Sequence, residues 1–173
     1  MANELLVIQA PVNDGVTSGV DRPWRLITDG VMGGLSSGTL KQNTVEGRQC
    51  VRLRGDVSLK NNGGFIQAAL DIGSTPAANA SAYQGIMLEV YGNNEEYNLH
   101  LRSNDVWLPW QSYRASFVAP AKWQTIKLPF SSFSGYRISK PLDLAQLKRI
   151  GVVAIGREFA ADLCIGQLAL YRD

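Results

Sequence analysis

Residues 97–117 read YNLHLRSNDVWLPWQSYRASF. Tyr97, Leu99 and Leu101 alternate with Asn98, His100 and Arg102; after an interruption holding Trp107, Pro109 and Trp110, Tyr113, Ala115 and Phe117 alternate with Arg114 and Ser116. Successive side chains of a strand point to opposite faces, so this stretch predicts two strands, each burying one face and keeping the other polar, joined by a tryptophan-bearing loop.

The same period recurs on both sides. Val51 and Leu53 alternate with Arg52 and Arg54, Ile86, Leu88 and Val90 with Met87 and Glu89, and Ile126 and Leu128 with Thr125 and Lys127. Seventeen glycines and seven prolines interrupt these runs at short intervals, which favours an all-β sandwich or jelly roll over βαβ units. The continuous apolar runs 150–155 and 163–170 fit strands buried more deeply. A single helical turn is expected over 142–148, capped by Asp143 with Leu144 and Leu147 inward, and 73–81 reads as a mobile surface loop. The 173 residues are expected to form one domain, 1–173, with its core over roughly 20–172.

Composition excludes several classes. The hydrophobic share of 45% and charged share of 18% fit a globular protein, and no apolar run approaches the ~20 residues a membrane helix needs. The first residues lack a secretory pattern, so the expected compartment is the cytoplasm. The net charge of +2 is scattered without a basic stripe, so nucleic acid is not an expected partner. Cys50 and Cys164 are far apart in sequence and are read as reduced, buried thiols. Trp24 and Trp123 are assigned to the core for the area an indole buries.

A second informative run is WRLITDGVMGGLSSG at 24–38, which pairs with Asn61-Asn62-Gly63-Gly64. Gly30, Gly33, Gly34 and Gly38 permit positive φ or close approach, while Asp29, Ser36 and Ser37 can bond nearby main-chain N–H groups. The run lacks the lysine-threonine pair and the spacing of nucleotide loops. The expectation is two structural loops packed together with Met32 as an apolar plug, and neither cofactor nor metal.

The polar face carries the candidate site. Asn98, His100, Arg102, Arg114 and Ser116 share it, with Glu89 expected to join from the preceding strand and Trp107 and Trp110 from the loop. Planar donors and acceptors beside an exposed indole suit sugar hydroxyls, carboxylates or an acidic peptide. His100 is the only histidine, which excludes a paired-histidine metal site, and no serine lies in a nucleophile elbow, so no catalytic residue is assigned. His100 beside arginines is expected to stay neutral through repulsion. Arg102 and Arg114, read as solvent-facing, are expected to tolerate alanine within about 0.5 kcal/mol.

Five ordered blocks, TDGVMGGLSSG, VSLKNNGGF, YNLHLRSNDVWLPWQSYRASF, WQTIKLPFSSF and PLDLAQLKRIGVVAIGREFAADLCIGQLALY, resemble the complex I intermediate-associated protein 30 family over most of the chain. The resemblance implies a galactose-binding-domain-like jelly roll and a non-catalytic assembly factor whose partner is a protein client, such as respiratory complex subunits or assembly intermediates. The alternative is a carbohydrate-binding module that holds a saccharide on the same face.

Overall fold

The computed structural model describes residues 4–9, 24–106 and 108–173. Trp107 and the side chains of Met32 and Asn62 lie outside the described residues, and with them the site role expected of Trp107 and the plug expected of Met32. Among the described residues twelve strands follow in chain order: β1 (Glu4–Gln9), β2 (Arg25–Thr28), β3 (Ser37–Val45), β4 (Arg48–Val57), β5 (Phe65–Asp71), β6 (Gly85–Tyr91), β7 (Glu95–Ser103), β8 (Ser112–Ala119), β9 (Trp123–Pro129), β10 (Ser134–Tyr136), β11 (Leu147–Ile155) and β12 (Phe159–Arg172). They form two antiparallel sheets. One runs β3-β4-β12-β6-β9 with β1 also paired to β12, and the other runs β10-β8-β7-β11-β5-β2. Among the described residues no helix is long and apolar enough to cross a membrane.

The alternation of 97–117 becomes the β7–β8 ladder, in which Tyr97 faces Phe117, Leu99 faces Ala115 and Leu101 faces Tyr113. All six side chains are buried in one cluster with Ile66, Leu70, Ile150 and Val152 of the same sheet and Leu53, Leu88, Leu163 and Leu168 of the opposing one. The core therefore fills the space between two inner faces, as in a β-sandwich. The apolar runs form β11 and β12, each with neighbours on both edges. Their outward positions are covered too, which is why their polar alternation disappears. A 3-10 turn at Leu144–Gln146 is capped by the Asp143 carboxylate, which accepts from Ala145 N at 3.1 Å, and Leu147 beyond it is buried.

Four expectations are corrected. Cys50 and Cys164 are joined as a disulfide with Cα atoms 5.4 Å apart, because β4 and β12 are sheet neighbours despite 114 residues of separation. Trp123 sits on the outward face of its sheet, edge-on to Tyr91, and its Nε1 donates to Val45 O at 2.9 Å. Trp24 does pack against the core, partly buried. The stretch 73–81 is anchored: Ala77 and Ala80 are buried and Ala80 N donates to Leu144 O at 2.7 Å. Finally, β6 belongs to the sheet opposite β7, so Glu89 lies far from the polar face and pairs with Arg48 at 3.9 Å.

Candidate functional site

The outward face of the β10-β8-β7-β11-β5-β2 sheet carries a cleft of about 530 Å³. Its floor is set by a missing side chain. Gly151 on β11 stands between His100 on β7 and Ala69 on β5, and the Gln67 side chain lies where a Cβ at 151 would be, so any larger residue would displace it. His100, Arg102, Ser112, Arg114, Tyr136 and Arg149 form one side of the cleft, while Ile27, Phe65, Val153 and Ile155 form the other. Two loops raise the ends.

The first end is built on a buried anion. Asp29 is fully buried in the 3-10 turn Asp29–Met32 that follows β2. Its Oδ2 accepts from Gly64 N at 2.6 Å, Phe65 N at 3.2 Å and Ser36 Oγ at 2.5 Å, and its Oδ1 accepts from Ser36 N at 3.0 Å. Burial pushes this carboxyl up, but the four hydrogen bonds outweigh it and hold the carboxyl below its ordinary range. Gly34 and Gly63 pack so closely on the carboxyl that a Cβ at either would collide with it. The glycines thus serve the close approach of two loops to one carboxylate. The result displays Val31, 76% exposed, and Leu59, 46% exposed, at the cleft edge.

The second end is built on a partly buried cation. Arg102 Nη1 donates to the carbonyls of Leu108 (3.2 Å), Pro109 (3.2 Å) and Gln111 (3.1 Å), and Nη2 donates to that of Val106 (3.3 Å). The two carbonyls flanking Trp110 are thereby drawn inward, and the indole is left 54% exposed over the cleft. Arg102 is a positioning residue: its donors are committed to the loop, contrary to its expected solvent-facing role.

Arg114 has a freer head. Its Nε donates to Ser112 Oγ at 2.8 Å and its guanidinium carbon stands 3.7 Å from the ring centre of Tyr136. No hydrogen bond within the described protein uses its two terminal nitrogens. Arg149 is balanced by Asp71, Nε to Oδ1 at 2.8 Å, and the same carboxylate receives Arg25 at 3.0 Å. Between them His100, directly opposite Arg114, is buried with Nε2 unpartnered among the described residues. Burial first, and the Arg114 charge second, lower its pKa to about 3, so the imidazole is neutral at pH 7. The expected neutrality thus has desolvation as its main cause.

Of the sequence-predicted residues, His100, Arg102, Trp110, Arg114, Gly63 and Gly64 line the cleft. Asn98 is on the same face but outside the cleft, and Glu89 is in the other sheet. Gln67, Tyr136, Arg149, Val31 and Leu59 are lining residues that sequence reasoning missed. For Gln67 a signal existed, a lone amide alternating with Ile66 and Ala68 in an apolar strand. Among the described residues no group of three or more histidine, cysteine or carboxylate side chains is placed to hold a metal ion.

Residues 15–165 match the model of the family described as complex I intermediate-associated protein 30 (CIA30). The chain belongs to this family. No curated protein sequence matches it. Among solved structures the CIA30 chain is similar to a family 11 carbohydrate-binding module from Clostridium thermocellum, determined with a β-1,3-1,4-mixed-linked tetrasaccharide, at TM-score 0.72 and 15% identity over 97% of this chain and 94% of that one. It is also similar to a family 30 carbohydrate-binding module of a Clostridium thermocellum cellulosomal cellulase, at TM-score 0.60 and 13% identity over 81% and 91% of the two chains. These likenesses establish the jelly-roll, galactose-binding-like β-sandwich of the CIA30 domain.

Proposed function

We propose that this CIA30 protein is a non-catalytic binding module that holds a segment of a protein client in the sheet cleft while a larger complex is assembled. The family's description names complex I intermediates, so respiratory-complex subunits and assembly intermediates are the clients to test first. One observation carries the reading. Of the seven exposed large apolar side chains among the described residues, four line this one cleft, Val31, Leu59, Trp110 and Tyr136, while Leu5, Leu35 and Val118 lie elsewhere. Clustered exposed apolar groups together with tyrosine, tryptophan and arginine are the composition of protein interfaces, and aliphatic Val31 and Leu59 offer nothing to sugar hydroxyls.

A second reading rests on Trp110. Its exposed indole, with Gln67, Ser112 and Arg114 beneath, also suits a sugar ring stacked on the aromatic face and hydrogen-bonded to planar groups. The experiment is a gentle-detergent affinity purification from native cells with wild type and a Trp110→Ala/Arg114→Ala double variant. Respiratory-complex subunits recovered with wild type alone are the expected result. Equal recovery with both, together with saturable binding of a mixed-linked glucan oligosaccharide lost in the double variant, overturns the client reading in favour of the second.

A further inference from the structure

The two sides of the cleft differ in chemistry. Val31, Leu59, Phe65, Ile27 and Ile155 make one end apolar, whereas the other holds Arg102, Arg114 and Arg149. Among the described lining residues there is no carboxylate, and only Arg149 is balanced, by Asp71 behind it. Arg102 spends its donors on neutral carbonyls and Arg114 on a neutral hydroxyl and a ring face, so two positive charges remain uncompensated in a partly desolvated site. Burial lowers the pKa of both, with Arg149 adding to it at Arg102, while at Arg114 Tyr136 opposes the shift and Arg137 adds to it; an anion would relieve the imbalance. The terminal nitrogens of Arg114 present the fork geometry that receives a carboxylate through two parallel bonds.

The sheet gives the spacing. Phe65 on β5 and Arg114 on β8 are separated by the intervening β11 and β7, three strand spacings or about 14 Å. Along the strands, Phe65 is four positions from Ala69, whose row continues through Gly151 and His100 to Arg114. That adds about 13 Å, so the diagonal is roughly 20 Å, which an extended chain covers in about six residues. Resting on the client-binding reading above, we infer that the occupant is an extended peptide segment with two anchors: an aspartate or glutamate that pairs with Arg114 and, about six residues away, an apolar side chain seated among Val31, Leu59 and Phe65. The neutral imidazole of His100, its Nε2 without a partner among the described residues, lies under the path between them.

The test is selection of phage-displayed random decapeptides on the immobilised protein, followed by titration of the enriched peptides in solution. The expected result is enrichment of sequences sharing an acidic and an apolar residue five to seven positions apart. Replacing the acid by its amide is expected to weaken binding at least tenfold in wild type. Arg114→Gln is expected to abolish that difference and Arg114→Lys to retain part of it, so a folded charge-retaining variant reports even if the glutamine variant fails to fold. Enrichment of neutral peptides, or equal binding of acid and amide forms to wild type, overturns this inference and leaves the client-binding reading standing. No enrichment above an uncoated surface overturns both.

Discussion

Replacing Arg102 with alanine removes the cation that organises the Trp110 loop. Nη1 meets three carbonyls but carries two protons, so its bonds are shared; together with the Nη2 contact the site amounts to about three hydrogen bonds. A bond to a charged partner nets about 1.5–3 kcal/mol at good geometry. These four contacts lie at 3.1–3.3 Å, the long end of the range, and carbonyls of a surface loop regain water once released. We therefore take about 1 kcal/mol for each, or roughly 3 kcal/mol in all. For a chain of this length that is a fall in melting temperature of about 10 °C. Urea melts followed by circular dichroism give the free energy, and amide exchange over 104–111 shows whether the loss is local. The expected pattern is faster exchange throughout that loop and binding weakened as much as by Trp110→Ala. A Arg102→Ala protein within 0.5 kcal/mol of wild type, with unchanged exchange in the loop, would refute the argument that this guanidinium holds the indole in place.

Two further predictions concern charge and acid. His100 has a folded pKa of about 3 against about 6.5 unfolded, so the unfolded chain binds the extra proton between those values, and stability falls as pH drops through that window by about 1.4 kcal/mol per unit. Melts at pH 7.5, 6.5, 5.5 and 4.5 are expected to show this slope in wild type and to lose it in His100→Asn; an unchanged slope in the variant would assign it elsewhere. Asp29 has a lowered folded pKa, so its contribution is complete above the unfolded value near 4 and is lost as pH falls through the folded one. At pH 7 Asp29→Asn turns an NH2 group toward backbone N–H donors and is expected to cost about 3 kcal/mol or more, with faster exchange at Ser36, Gly64 and Phe65; protected amides there would disprove the role of the carboxylate as the tie between the loops.

Much of this architecture was legible in period-two alternation, because an antiparallel sheet with one covered face leaves that trace in each strand. The alternation from Tyr97 to Phe117 marks the two faces of each strand and the loop between, while the pairing of Tyr97 with Phe117 is visible only in the structure. Alternation reports a strand's two faces but not which sheet the strand joins, and Glu89 was misplaced for that reason: β6 precedes β7 in sequence yet pairs with β9 and β12. The Cys50–Cys164 contact is hidden by the same ignorance of strand neighbours. Trp123 is a different case. Ile126 and Leu128 face the core, so the alternation already sets residue 123 outward, and the general burial habit of tryptophan overrode a local signal that was correct. Arg102 lies on the expected face, but its partners are backbone carbonyls, which leave no mark in a sequence.

The two ends of the cleft solve one physical problem with opposite charges. Asp29 collects backbone N–H groups from two loops, and Arg102 collects backbone carbonyls from one, each using a single ion to replace the regular ladder that loops lack. Because the polar backbone is satisfied inwardly, the side chains it carries, Val31 at one end and Trp110 at the other, are turned outward with little freedom left in the chain beneath them. A surface ordered before its partner arrives spares part of the entropy that association would otherwise cost. In the proposed binding role it also separates two tasks along the same segments: Asp29, Gly34, Gly63 and Arg102 shape the walls, while Val31, Leu59, Trp110 and Arg114 are the groups offered to the client. Substitutions in the second group are therefore expected to change what binds without changing whether the cleft forms, and substitutions in the first to weaken binding of every ligand together.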